Sequence, residues 1–122
     1  MEWTISHQIE DNVLLVTTKG SLDKASLWAM LKEEAELAHR YSCSRCLVDN
    51  RALTSDVILT FDIYDLTNVY SHIGLSRILK RAELSPAQFS SDFNFMETVN
   101  VNNGYQFKVF PDKESALRWL IN

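Results

Sequence analysis

Short apolar runs and longer stretches of helical periodicity take turns along this chain, and that alternation leaves few folds open. The runs from Trp3 to Ile9 and from Val13 to Thr18 flank the turn-like Glu10-Asp11-Asn12, which reads as a β-hairpin. Gly20-Ser21 breaks the second run, and Ser21 is placed to cap a helix with Trp28, Leu31, Ala35 and Ala38 inward and Lys32, Glu33, Glu36 and Arg40 outward. Cys46-Leu47-Val48, ending in Asp49-Asn50-Arg51, has the brief apolar character of a central strand buried on both faces. Thr60 and Asp62 open a second helix, with Leu59, Ile63, Leu66 and Tyr70 on one face and Gly74 as its stop. Ile78 to Leu84 is the next strand, ended by Ser85-Pro86. A helix from about Ser91 to Asn102 then turns Phe95, Met96 and Val99 inward before Asn103-Gly104. Gln106 to Phe110 is the last strand, and Pro111-Asp112 starts a final helix striped by Ala116, Leu117 and Leu120. The order β-β-α-β-α-β-α-β-α predicts an α/β fold: a mixed, largely parallel four- to five-stranded sheet with an N-terminal antiparallel hairpin and about four helices.

At 122 residues the sequence suits one domain, 1–122, able to bury a core without disulfides or metals. A net charge of -4 disfavours nucleic acid, which needs clustered positive charge. The one basic cluster, Arg77, Lys80 and Arg81, is expected on the solvated side of a strand. No stretch approaches the length of a membrane span and no signal peptide opens the chain, so the expected location is the cytoplasm, with Cys43 and Cys46 as reduced thiols.

Four stretches carry a family likeness: the hairpin into Gly20-Ser21-Leu22; Leu47-Val48-Asp49-Asn50-Arg51; Phe95-Met96-Glu97-Thr98-Val99 with Asn103-Gly104; and Val109-Phe110-Pro111-Asp112 through Ala116-Leu117-Arg118-Trp119-Leu120. In these the chain resembles the SpoIIAA-like family, a branch of the STAS (sulfate transporter and anti-sigma factor antagonist) fold class. The resemblance implies an anti-sigma-antagonist-like fold and no enzyme activity. Anti-sigma antagonists carry an Asp-Ser-Ser-Gly type segment with the phosphorylated serine shortly after the central strand. The corresponding region here, Arg51-Ala52-Leu53-Thr54-Ser55-Asp56-Val57, has no such motif, which leaves Thr54, Ser55 and Thr60 as hydroxyls for a kinase. The family is also compared with lipid-carrying CRAL-TRIO folds, which keeps an apolar-ligand site open.

Catalytic equipment is not legible in the residues themselves. Cys43-Ser44-Arg45-Cys46 follows a helix and enters a strand, whereas a redox pair sits at a helix N-terminus; with His39 it supplies three ligands, one short of a structural zinc site. His7, His39 and His72 are scattered, and no G-x-S-x-G, Walker or G-x-G-x-x-G segment is present. Asp23, Asp62, Asp92 and Asp112 lie near helix starts, where capping accounts for them. No cofactor, metal or catalytic residue is expected. The aromatic set Phe61, Tyr64, Phe89, Phe93, Phe95, Tyr105 and Phe107 is large for one small core, so a surplus could serve a dimer face or an apolar pocket.

These observations favour a non-catalytic regulatory or protein-interaction module, whose partner is another protein or a second copy of itself; the alternative is a small apolar or amphipathic, lipid-like ligand. In open α/β sheets partners meet the carboxyl ends of the parallel strands. Here that edge comprises Asp49, Asn50, Arg51, Ser55, Thr60, Ser85 and Asp112. Arg51 can fork onto a carboxylate or phosphate of a partner, or form a structural ion pair with Asp49 or Asp56.

Overall fold

A computed structural model describes residues 1–56 and 60–122, with the side chains of these except 56, 60–64, 66 and 67. Five strands, β1 (Glu2–Gln8), β2 (Val13–Leu22), β3 (Arg45–Asp56), β4 (Lys80–Leu84) and β5 (Gln106–Phe110), form one sheet in the order β1-β2-β3-β4-β5. The β1–β2 pair is antiparallel and every later pairing is parallel. The helices are α1 (Lys24–Arg40), α2 (Thr60–Ile73), α3 (Ser90–Asn102) and α4 (Lys113–Ile121), with a short 3₁₀ turn at Ala87–Phe89 before α3. The architecture is the mixed α/β sheet expected, with β3 in the middle.

Period-2 alternation explains how this sheet takes a layer on each side. Leu14, Val16, Cys46 and Val48 face α1 and α2, where Met30, Leu31 and Tyr70 meet them. Their neighbours Val13, Leu47, Ala82 and Leu84 face the other way, onto Ala116 and Leu120 of α4. Leu22, Leu53, Phe93 and Val99 extend the first layer under α3. Each fully buried Leu or Val contributes about 1.5–3 kcal/mol relative to exposure, so these three clusters dominate stability. The C-terminus of α4 is held by cations from the strands: Arg45 Nε donates to Leu120 O at 2.9 Å and Lys80 Nζ to Trp119 O at 2.9 Å.

Several local expectations are overturned. The strand break at Gly20-Ser21 does not occur, because Gly20 takes a φ of 91° inside β2 and lets the strand run on to Leu22 across a bulge. Asp23, not Ser21, caps α1, its carboxylate accepting from Ser26 N at 2.8 Å. Trp28 is exposed, whereas Leu31, Ala35 and Ala38 face the core as expected; Leu27, Met30 and Glu34 complete the inward stripe of α1. β3 does not end at Asp49-Asn50-Arg51 but continues to Asp56. Phe93 is the fully buried ring of α3, with Phe95 and Met96 only half-buried. The apolar face from Leu59, Ile63 and Leu66, the cap role of Asp62 and the rings of Phe61 and Tyr64 lie outside what the structure describes; Tyr70 of that face is buried. Among the described residues no helix is long and apolar enough to cross a membrane.

Candidate functional site

A β-bulge organises the predicted edge. Thr17 pairs with Asp49 and Lys19 with Ala52, so Asn50 and Arg51 together oppose Thr18. Ordinary strand alternation puts Asn50 on the buried face with Cys46 and Val48, and Arg51 on the opposite, exposed side with Asp49; the extra residue then shifts the phase, so that Leu53 turns inward. Arg51 forks onto Asp49, Nε to Oδ1 at 2.9 Å and Nη2 to Oδ2 at 2.8 Å, and its own backbone N–H donates to Oδ1 at 3.1 Å. That fork holds the Asp49 carboxyl below its usual range and raises Arg51. Of the two roles open to Arg51, the structure therefore displays the ion pair with Asp49. Asp112 lies close enough to favour the Arg51 charge, but its carboxylate is committed to capping α4, accepting from Ser115 N at 2.7 Å.

The hydroxyls divide. Ser55 shares a hydrogen bond with Ser21 across β2 and β3, while Thr54 stands exposed on β3. Ser85 is half-buried just after β4. Thr60 begins α2, and its side chain lies outside what the structure describes. The edge thus brings together Asp49, Arg51 and Asp112, and separately Ser21 and Ser55. Asn50 leaves it for the interior.

Inside, Asn50 belongs to a polar chain that crosses the sheet beneath α1. Thr18 Oγ1 donates to Asn50 Oδ1 at 2.6 Å, Asn50 Nδ2 to Glu83 Oε1 at 2.8 Å, and Arg81 Nε to Glu83 Oε2 at 3.0 Å. The other end of the Arg81 guanidinium grips the Glu34 carboxylate of α1 through both terminal nitrogens. Arg81, expected on a solvated strand face with Arg77 and Lys80, is instead enclosed, because α1 to α3 cover the face to which Arg81 and Glu83 point. Burial raises Glu34, and lifts Glu83 to about 7 against the pull of Arg81. Burial also opposes the Arg81 charge, and the two carboxylates more than reverse that. The sequence signals available were the stripe Leu27-Met30-Leu31-Glu34-Ala38, which includes a carboxylate, and the alternation Arg81-Ala82-Glu83-Leu84.

Above this chain lies a cavity of about 30 Å³, with Asn50, Arg81 and Glu83 on its floor and Met30, Leu53, Phe93 and Met96 among its walls. Space of that size holds a water or two, whereas a drug-sized ligand needs several hundred Å³. Cys46 is fully buried and its thiol is pushed up by burial; Cys43 is buried too, its Sγ directed at Asn12 O at 3.1 Å. Both are free thiols. Among the described residues no three His, Cys, Asp or Glu side chains gather as a metal ion would require.

No family model matches the sequence, and no curated protein matches it. Solved structures do. An anti-sigma factor antagonist from Mycobacterium paratuberculosis superposes with a TM-score of 0.62 at 14% identity, over 99% of this chain and 96% of its own. An uncharacterized protein of the DUF3478 family with a SpoIIAA-like fold, from Shewanella loihica, gives 0.61 at 21% identity, over 98% of this chain and 92% of its own. The anti-sigma factor antagonist SpoIIAA in its unphosphorylated form gives 0.55 at 10% identity, over 97% and 96%. The chain has the SpoIIAA-like fold.

Proposed function

We propose that this chain is a single STAS-type regulatory module acting in the cytoplasm by binding another protein, without catalysis of its own. The observation that carries this is the superposition, along nearly the whole of both chains, on two proteins named as anti-sigma factor antagonists. The chemistry of the described ionisable groups supports it: the carboxylates with shifted titration are engaged in helix caps, the Arg51 fork or the Glu34–Arg81–Glu83 network. The docking edge is the carboxyl end of the parallel strands, where Arg51 and Thr54 are exposed. Thr54, Ser55 and Thr60 are the hydroxyls through which phosphorylation would regulate it, by adding charge beside the edge.

The test is reconstitution. A partner recovered by cross-linking in the source cells is purified and titrated calorimetrically against the wild-type chain and against Thr54→Glu and Arg51→Ala. The proposal expects saturable binding, weakened by Thr54→Glu. Turnover of a small molecule by the purified chain, with no protein binding, would overturn it.

A further inference from the structure

We propose that the opposite pole of the molecule, at the amino ends of the parallel strands, is a self-association face that takes a second copy of this chain about a two-fold axis. Among the described residues six large hydrophobic side chains are exposed, and four of them, Ile9, Tyr41, Ile78 and Ile121, belong to the turns and the helix end at this pole. Ile9 is 85% and Ile78 73% exposed. Two shallow grooves meet there, of about 440 and 250 Å³, sharing Ser44 and Ile78.

Topology arranges charge along the same face. The strand order lays the β1–β2 turn at one end, the start of β3 in the middle and the starts of β4 and β5 at the other. Acidic Glu10 and Asp11 therefore lie at one end, with exposed Ile9 beside them, and basic Arg77 at the other, with exposed Ile78 beside it. A surface with an acidic and apolar turn at one end and a basic and apolar turn at the other is complementary to itself. A two-fold axis near the start of β3 sets Asp11 of each copy against Arg77 of the other, twice, and brings Ile9 of each beside Ile78 of the other. An anionic bilayer fits less well, since Glu10 and Asp11 would face like charge.

Both ends are held in place before any partner arrives. Arg45 Nη1 donates to Asp11 O at 2.9 Å and Asn12 Nδ2 to Ser42 O at 3.2 Å, fixing the hairpin turn. Arg77 Nε donates to Asn103 O at 3.2 Å, with its guanidinium 4.6 Å above the Tyr105 ring. Such order reduces the entropy lost on association. This face is separate from the docking edge proposed above, so either assignment can fail without the other.

Sedimentation velocity of the full chain across a concentration series tests it, with thermal melts confirming that each variant folds. The expected result is a concentration-dependent dimer. Ile78→Glu should weaken it by about tenfold or more, equivalent to about 1.4 kcal/mol. Asp11→Arg and Arg77→Asp should each weaken it, and the double variant should recover towards wild type. A monomer at every concentration overturns the proposal, as does a dimer indifferent to Ile78→Glu or a charge swap that fails to restore association. A monomer that co-sediments with phosphatidylglycerol vesicles would overturn it in favour of a membrane surface.

Discussion

Glu34, Arg81 and Glu83 set two buried carboxylates against one buried guanidinium, and the balance dictates how each responds to mutation. Removing Arg81 leaves both carboxylates enclosed without a counter-charge, which costs about 3–5 kcal/mol. Arg81→Met should therefore lower the urea midpoint severely at neutral pH, whereas Glu34→Leu, Arg81→Met and Glu83→Met combined should regain much of the loss. The same network gives stability a pH dependence of definite sign. Burial lifts Glu83 from the ordinary 4.5 to about 7 in the fold, so the folded state holds this proton more tightly than the unfolded chain does. Its contribution is fully present below about 4.5 and is lost as pH rises through about 7, a swing of about 3 kcal/mol. Glu34, also raised, acts in the same direction. Asp23, lowered to about 2 chiefly by the Ser26 backbone N–H, acts oppositely and withdraws support only in acid. Melting temperature should thus decline from about pH 5 to 7.5, and Glu83→Gln should flatten that decline; an unchanged slope would contradict the assignment. Gln can be accommodated because Asn50 can turn its amide, leaving Thr18 Oγ1 to donate to Asp49 O. Arg51 behaves differently. Its fork is at the surface, so Arg51→Ala should cost less than about 1 kcal/mol and lower the melting temperature by only a few degrees.

The bulges where β2 meets β3 decide which side chains reach the interior and which reach the edge. Gly20, at φ 91°, sits in this irregular stretch, and a Cβ there would meet no atom within 4 Å, so the cost of a side chain is backbone strain alone. Gly20→Ala should destabilise by about 1–2 kcal/mol and Gly20→Asn by less, measured by thermal denaturation. The opening hairpin, the last strand and the Asp112 cap were legible because turn chemistry and short-range periodicity determine them. The bulges were not, since an extra residue in a ladder depends on the partner strand and leaves no local pattern beyond a glycine. Trp28 misled for a related reason: its apolar surface argues for a place in the inward stripe with Leu31, Ala35 and Ala38, but Leu27 and Met30 fill that place instead. Arg81 and Glu83 follow the alternation of a half-solvated strand, and only the helices above them turn that polar face into an interior. Of the candidate edge, Asp49, Arg51 and Asp112 lie near one another, whereas Asn50 points inward by the ordinary alternation that it shares with Cys46 and Val48.

At the scale of the molecule, a central sheet clad by three helices on one face and one on the other leaves its two poles as the exposed ends of the design. The carboxyl pole carries the Asp49–Arg51 fork, the Ser21–Ser55 pair and exposed Thr54; the amino pole carries exposed isoleucines beside opposite charges. The narrow cavity of about 30 Å³ sits over a hydrogen-bonded ionic chain, beneath α1. The central claim is that the carboxyl pole binds protein. Photo-cross-linking in the source cells measures it most directly, with a photoreactive amino acid placed in turn at Thr54, at Arg51 and, as a control, at Glu36 on the outer side of α1. The account predicts a discrete protein adduct from positions 54 and 51 and none from 36; adducts equally distributed over all three positions, or found at position 36 alone, would contradict it.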